Sequence, residues 1–257
     1  MQSIAELTKD KIKNLKIICF DCDGVTVERG TDIEETETIL TVKTALLSDK
    51  ILKKLLRLKR YYHLNFSSGR SLLYLERTYG KILWENASLQ GEIGIFTLID
   101  GRVIQDEYFN PKDLEIMQNI KNDIRDLSKK DKRIRGFEPK QFLITVHCRE
   151  EIPEIDRIVH LYDLESRYYS WWNGEAYDIG LKRLNKGEGL RHLAKYLKVN
   201  LKNTMAIGNG SNDKNMIDVA GISVTTDSQT LPADYYTTGR LDLGGEELID
   251  KLLELNQ

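Results

Sequence analysis

The chain has 257 residues and lacks the features that mark several protein classes. It has only three cysteines, an odd number, which argues against the disulfide framework of a small secreted domain. Its 38 basic and 40 acidic residues give a net charge of −2, which provides no attraction to nucleic acid or anionic lipid. No run approaches the ~20 apolar residues of a membrane-spanning helix. We therefore predict a protein that binds neither nucleic acid nor membranes.

The first sixteen residues alternate charged and apolar side chains, and they lack the apolar segment of a secretory signal. Together with the expected free thiols, this pattern predicts a cytoplasmic protein. Apolar residues make up 40% of the chain, which is enough for a sizeable core, and the length suits one large domain or two modest ones. No part of the sequence indicates an oligomeric state.

The most informative segment is a short apolar run, residues 17–20, that ends in two aspartates and a glycine. The run predicts a buried strand, and Asp21, Cys22, Asp23 and Gly24 follow it. Because strand side chains alternate, the two carboxylates can leave the strand end in the same direction, whereas the intervening thiol projects oppositely. Carboxylates held this close indicate a cation site or a catalytic acid. Taken alone, the pattern also fits an Asp-rich turn.

Three further segments place polar residues after a strand or at a helix start. Ser68 and Gly69 follow an aromatic-rich strand, where the hydroxyl could donate to a phosphoryl oxygen or simply cap the next helix. Lys186 is predicted at a helix N-terminus, where a cation gains nothing from the helix dipole, although a solvated lysine is the commoner case. A glycine-rich turn that includes Asn209 and Asp213 follows a third strand, and an acidic turn suits a divalent cation.

The four segments, in this order, resemble the haloacid dehalogenase superfamily of phosphotransferases. The superfamily pattern is D-x-D-G, a strand-terminal Ser or Thr, a Lys, and G-D-G-x-N-D, and the resemblance covers residues 15–240. The long interval between the second and third segments is similar to that of superfamily phosphatases with an inserted α/β cap of the Cof, trehalose-phosphatase and mannosyl-phosphoglycerate-phosphatase kind. The resemblance implies a phosphoric monoester hydrolase that acts on a small sugar phosphate or a related phosphorylated metabolite.

The same resemblance implies roles for individual residues. Asp21 would be the nucleophile that forms an aspartyl-phosphate, and Asp23 would be the general acid and base. The implied phosphate-binding residues are Ser68, Gly69, Lys186 and Asn212. The implied cofactor is Mg²⁺, and its ligands would be Asp21, Asp23, Asn209 and Asp213.

One residue departs from the superfamily pattern. Asn209 stands where the pattern has an aspartate, so the implied metal shell carries one negative charge fewer, and weaker Mg²⁺ binding is expected. Two alternatives to a phosphatase stay open at this point. One is a sugar phosphomutase of the same superfamily, and the other is a binding protein that keeps the fold but has weak catalysis.

The order of predicted elements indicates an α/β protein. We expect a doubly wound, Rossmann-like parallel sheet formed by residues 1–87 and 181–257, with an α+β cap domain for substrate specificity at 88–180. Residues 96–105 are predicted to form a β-hairpin with Asp100 and Gly101 in its turn. Residues 24–47 read as an unusually long loop, either functional or partly mobile.

Overall fold

A computed structural model describes residues 1–105, 108–239 and 242–257. The strands are β1 Gln2–Ser3, β2 Ile17–Asp21, β3 Thr31–Glu35, β4 Leu40–Thr44, β5 His63–Ser67, β6 Ala87–Gly91, β7 Phe96–Ile99, β8 Arg102–Gln105, β9 Ile134–Phe137, β10 Ile144–Cys148, β11 Tyr168–Trp172, β12 Ala176–Leu181, β13 Thr204–Gly208, β14 Ile222–Thr225 and β15 Tyr235–Tyr236. The α-helices are α1 Lys9–Ile12, α2 Asp49–Leu58, α3 Leu72–Tyr79, α4 Pro111–Lys130, α5 Pro153–Tyr162, α6 Lys186–Tyr196, α7 Lys214–Val219 and α8 Asp242–Leu255. Short 3₁₀ helices lie at Ile4–Glu6, Gly80–Ile82, Glu92–Gly94, Leu201–Asn203 and Ser211–Asp213.

The chain divides into two compact units, each built from segments that are separate in sequence. The first unit contains Met1–Arg29, Ala45–Asp106 and Asn185–Gln257. The second contains Gly30–Thr44 and Glu107–Leu184. The division assigns strands β6 to β8 to the first unit. The substrate-specificity domain expected at 88–180 stays a prediction.

The first unit is built on a nine-stranded sheet in the order β1-β15-β14-β13-β2-β5-β6-β7-β8. The pairings from β1 across to β6 are all parallel, whereas β7 and β8 add to the edge in antiparallel fashion. This arrangement confirms the predicted doubly wound α/β fold. Strand β2 is fully buried, as expected for an apolar run inside a parallel sheet.

The sheet topology gathers the ends of three strands that are distant in sequence. Strand β2 lies between β13 and β5, and in the register Phe20 pairs with Ile207 while Asp21 pairs with Ser67. Because the three strands are parallel, the segments that follow them emerge at the same edge of the sheet. The strand order changes direction at β2, and in open α/β sheets such a point forms a crevice outside the carboxyl ends of the strands.

The hairpin predicted at 96–105 is confirmed, and it belongs to the main sheet. Ile99 pairs with Arg102, and the two turn residues both have positive φ, 48° at Asp100 and 73° at Gly101. Two consecutive positive φ angles are what a type I′ hairpin turn requires.

The second unit contains a four-stranded antiparallel sheet in the order β11-β12-β10-β9. It also contains the β3–β4 hairpin, in which Ile33 pairs with Val42. The prediction of an irregular loop across 24–47 was therefore wrong for most of that stretch. Burial alternates along Thr31–Glu35 as in a strand, with Thr31 and Ile33 buried and Asp32 and Glu34 exposed.

Within the described residues, no helix is both long enough and apolar enough to cross a bilayer. The apolar side chains instead form the core of the first unit, where Phe66 stacks against Phe20 and Tyr79 at ring-centroid distances of 5.6 and 4.3 Å. Helix α3 contributes Tyr79 and the fully buried Leu75 to this core.

Two leucines on α3 provide a matched test of this packing. Leu75 is 0% exposed and Leu73 is 78% exposed, although both lie in the same helix. We expect Leu75→Ala to lower the free energy of unfolding by about 2–5 kcal/mol, because it removes buried methyl groups and leaves a cavity. Leu73→Ala should change it by less than about 0.5 kcal/mol. Urea denaturation of both variants checks the difference, and equal losses would contradict the packing of α3.

Candidate active site

A buried lysine lies between two buried carboxylates that come from different motifs. Lys186 Nζ is 2.5 Å from Asp21 Oδ1 and 2.6 Å from Asp213 Oδ1. The lysine is 1% exposed, Asp21 4% and Asp213 0%. Buried charges of this kind are tolerated only when they are paired. The first, third and fourth sequence motifs therefore meet at one point.

Local structure explains why the lysine lies at this position. Helix α6 begins at Lys186, and the side chain of Asn185 caps it by accepting hydrogen bonds from the amides of Gly187 and Glu188. A Cβ atom at Gly187 would lie 2.5 Å from the Asn215 carbonyl oxygen, so this glycine permits the close approach of α7.

The environment of Asp21 changes its ionisation. Burial raises the pKa of the Asp21 carboxyl to about 7, and the negative charge of Asp213 adds to this effect, whereas Lys186 opposes it. The same two carboxylates raise the pKa of Lys186, which therefore stays protonated. A positive group beside Asp21 thus favours the ionised form that a nucleophile needs.

The second oxygen of Asp213 organises the glycine-rich turn after β13. Asp213 Oδ2 accepts hydrogen bonds from the backbone amides of Asn209 at 2.9 Å and Gly210 at 3.2 Å. A Cβ at Gly208 would lie 2.5 Å from the Cβ of Asp213, so this glycine makes room for the carboxylate. Asp213 therefore joins the turn to Lys186.

Asp23 is held by an arginine rather than by the lysine. Arg70 donates from Nε to Asp23 Oδ2 at 2.9 Å and from Nη2 to Asp23 Oδ1 at 3.1 Å, a two-pronged ion pair. The guanidinium also lies 4.5 Å from the ring centroid of Tyr74. The Asp23 side chain is 25% exposed, so this carboxylate lies nearer to solvent than Asp21.

The predicted phosphate-binding residues differ in their surroundings. Ser68 follows β5 directly and is 3% exposed, and its Oγ accepts a hydrogen bond from the Arg70 amide at 3.2 Å. The nearest atom to a Cβ built at Gly69 is a methyl group of Ile93 at 3.8 Å, so the backbone there is not crowded. Asn212 is exposed at the start of the turn that leads into α7.

Asn209, the residue that departs from the superfamily pattern, is 3% exposed and uses both ends of its carboxamide. Its Nδ2 donates to the backbone carbonyl of Asp23 at 2.8 Å and lies 3.4 Å from Asp21 Oδ2. Its Oδ1 accepts a hydrogen bond from Arg29 Nη2. The amide therefore joins two parts of the D-x-D-G segment to the turn after β13.

The oxygen atoms of this region suit a hard divalent cation. Among the described residues, no three His, Cys, Asp or Glu side chains are grouped closely enough to hold a metal by themselves. A carboxylate oxygen of Asp21 and the carbonyl oxygen of Asp23 instead lie together, and both face the Nδ2 end of the Asn209 amide, whose oxygen is the third candidate ligand. Mg²⁺ prefers oxygen ligands and uses few of them from the protein, so these residues fit it.

Two arginines of the site carried no role in the sequence-based prediction. Arg70 adjoins Ser68 and Gly69, so its position next to a predicted motif was a usable signal. Arg29 gave no local signal, because its partner Asn209 is 180 residues away in the chain. The thiol of Cys22, which lies between the two aspartates in sequence, is fully buried, and burial raises its pKa well above the usual value and so disfavours the thiolate.

Comparison with a family model identifies the protein family. The model for haloacid dehalogenase-like hydrolases matches residues 12–230, which is most of the chain. The chain belongs to this family. The predicted membership of the superfamily is thereby confirmed, as is the prediction that the chain is a hydrolase.

Individual relatives share only a low sequence identity with this chain. A phosphoglycolate phosphatase of Methanopyrus kandleri is 25% identical over 203 residues, which cover 76% of this chain and 84% of the relative. The C-terminal domain of a trehalose-6-phosphate phosphatase from C. albicans superposes with a TM-score of 0.68 at 16% identity, over 96% of this chain and 94% of that one. A phosphatase of the same superfamily from Bacteroides thetaiotaomicron gives 0.64 at 16% identity, over 94% and 95%. At these identities the structural likeness establishes the fold.

Proposed function

We propose that this protein is a Mg²⁺-dependent phosphatase that hydrolyses a small phosphorylated metabolite through an aspartyl-phosphate on Asp21. The observation that carries the proposal is the buried contact of Asp21, Lys186 and Asp213, since three separate motifs meet there at one lysine. Two acids that share a buried lysine are expensive to maintain for stability alone, whereas an activated nucleophile needs such a partner.

In the first half of the reaction, a carboxylate oxygen of Asp21 attacks phosphorus, and the bond from phosphorus to the ester oxygen breaks. The departing alkoxide takes a proton from Asp23. Burial raises the pKa of the Asp21 carboxyl to about 7 even with Lys186 beside it, and the charge of Lys186 opposes this rise and favours the ionised form. The covalent step divides one difficult displacement into two easier ones.

In the second half, Asp23 accepts a proton from water, and the resulting hydroxide attacks phosphorus and releases Asp21. The ion pair between Arg70 and Asp23 holds this carboxylate in a fixed orientation when it is ionised and ready to accept the proton of water. The Ser68 hydroxyl, the amides around Gly69 and the Lys186 ammonium are the groups we assign to the phosphoryl oxygens. Asn212 would orient the bound ester.

Asp21, the Asp23 carbonyl and Asn209 would hold Mg²⁺. When bound, the cation would supply positive charge to the phosphoryl group, the main requirement of phosphoryl transfer. Asp213 was expected among the metal ligands. Its contacts instead support a role in holding Lys186 and the turn, because one of its oxygens accepts a hydrogen bond from Lys186 and the other accepts hydrogen bonds from two backbone amides.

We assign the substrate to small phosphomonoesters of sugars or related acids. The support is that the curated relative is named a phosphoglycolate phosphatase and a structural relative a trehalose-6-phosphate phosphatase. The predicted cytoplasmic location is consistent with such metabolites and stays a prediction.

A panel of phosphate esters tests the proposed function. Purified protein should release inorganic phosphate from at least one sugar phosphate or phosphorylated acid when Mg²⁺ is present, and EDTA should abolish the release. Interconversion of sugar phosphates without net phosphate release would instead indicate a phosphomutase. Absence of both reactions across the panel, with substrates that still bind, would indicate a binding protein.

The Mg²⁺ requirement gives a second test, which depends on Asn209. Asn209→Asp adds a negative charge where the amide now lies between Asp21 and the Asp23 carbonyl. We expect the Mg²⁺ concentration for half-maximal activity to fall by about 10-fold, because a carboxylate binds a hard cation more strongly than an amide oxygen does. If neither the Mg²⁺ requirement nor the maximal rate changes, position 209 lies outside the metal shell.

A further inference from the structure

Arg29 and the proposed metal site would both use the side-chain oxygen of Asn209. Arg29 Nη2 donates to Asn209 Oδ1, and the other end of the carboxamide, Nδ2, donates to the Asp23 carbonyl at 2.8 Å and approaches Asp21 Oδ2 at 3.4 Å. Each donor therefore faces an acceptor. The amide presents its nitrogen, not its oxygen, to the two oxygens that we assign to Mg²⁺.

The turn of the D-x-D-G segment is shaped to allow this contact. Gly24 has a φ of +78°, a conformation that favours glycine. A Cβ atom there would lie 2.7 Å from Arg29 Nε and 2.8 Å from Asn209 Nδ2. The missing side chain at Gly24 thus leaves room for the arginine and the amide together.

Rotation of the carboxamide by half a turn would exchange its two ends. Oδ1 would then join the oxygens of Asp21 and Asp23, which is the arrangement a hard cation favours. The same rotation would turn Nδ2 towards the Arg29 guanidinium, and two donors would face each other. An amide has one accepting end, so Arg29 and the cation compete for it.

We propose that Arg29 is a positioning residue that fixes the orientation of the Asn209 amide and thereby weakens Mg²⁺ binding. The proposal rests on the Mg²⁺ site proposed above and adds a residue that controls its affinity. It also explains how an aspartate at position 209 would differ from the asparagine. A carboxylate has two accepting oxygens, so one could accept a hydrogen bond from Arg29 while the other binds the cation.

A double-mutant cycle separates this role from simple charge repulsion. Arg29→Met removes the guanidinium that donates to Asn209. Asn209→Asp replaces the amide by a carboxylate, whose two oxygens both accept, so the orientation of the side chain no longer matters. In the Asn209 protein, we expect Arg29→Met to lower the Kd for Mg²⁺ by about 10-fold, since a hydrogen bond to a charged group is lost as a competitor. In the Asn209→Asp protein, the same change should alter Kd by less than about 3-fold, because only screened repulsion remains.

Isothermal titration with MgCl₂, without substrate, measures Kd for the four proteins. Arg77→Met, which removes a positive charge from the exposed side of α3, is the control and should leave Kd unchanged. If Arg29→Met changes the Kd for Mg²⁺ by the same factor in the Asn209 and Asn209→Asp proteins, the role of Arg29 is overturned while the Mg²⁺ site stands. If neither the wild type nor Arg29→Met binds Mg²⁺, the role of Arg29 and the proposed metal site are both overturned. Phosphate release that persists without Mg²⁺ would then show that the hydrolase function stands without the metal.

Discussion

Asp21→Asn should reduce phosphate release by at least about 10³-fold, with the fold unchanged. An amide cannot act as the nucleophile, and loss of a nucleophile removes most of the catalysis in enzymes that use one. The substitution keeps the side-chain volume in a site that is 4% exposed. It also removes a buried carboxylate whose pKa is raised by burial, while Lys186 keeps Asp213 as a partner at 2.6 Å. Stability should therefore be preserved.

Steady-state phosphate release and thermal unfolding together check this result. Asp218→Asn is the matched control, because Asp218 is half-exposed and pairs with Lys214 on α7. This variant should release phosphate at the wild-type rate. Comparable turnover by Asp21→Asn would remove Asp21 from the nucleophile's role. Loss of activity together with loss of cooperative unfolding would assign Asp21 a structural role instead.

Asp23→Asn should lower the rate by about 10²–10⁴-fold for alkyl phosphates, the usual contribution of general acid–base catalysis. The loss in kcat/KM, which reports only the steps up to formation of the aspartyl-phosphate, should be smaller for 4-nitrophenyl phosphate, whose leaving group needs no proton. This difference between substrates is the signature of a lost acid, because a general disturbance of the site would slow both substrates equally.

Equilibrium Mg²⁺ binding is the companion measurement for Asp23→Asn. The variant keeps the backbone carbonyl that we assign to the cation, so its Kd should stay within about 3-fold of the wild-type value. Arg70 loses the acceptor of its two-pronged ion pair but still lies against Tyr74. Equal losses of kcat/KM for both leaving groups would contradict the assignment of Asp23 as the acid.

The sequence predicted the parts of the site that depend on local pattern. An apolar run before Asp21 required a buried strand, and a parallel sheet then brought the ends of β2, β5 and β13 to one edge. The amphipathic stretch through Leu197 predicted a helix that starts near Lys186, as observed, and a cation at that position indicated a functional reason for it. Its actual partners, Asp21 and Asp213, became visible only when the chain was folded.

The rest depends on contacts between residues far apart in the chain. The hydrogen bond from Arg29 to Asn209 spans 180 residues, and no periodicity reports such a contact. The β3–β4 hairpin was missed because its strands are five residues each and β4 is mostly exposed, so the alternation of apolar residues is weak. Residues 88–105 were expected in the cap, but their strands pair with the main sheet, and a strand pattern carries no information about which sheet the strand joins.

Chemical trapping of the intermediate tests the central claim most directly. Protein mixed with Mg²⁺ and a turned-over phosphate ester is quenched during steady state and treated with borohydride, which reduces an acyl phosphate to the alcohol. Mass spectrometry of the peptides should then find homoserine at position 21, dependent on both Mg²⁺ and substrate. Rapid phosphate release with unmodified aspartate at position 21, or with the alcohol at another aspartate, would contradict an aspartyl-phosphate on Asp21.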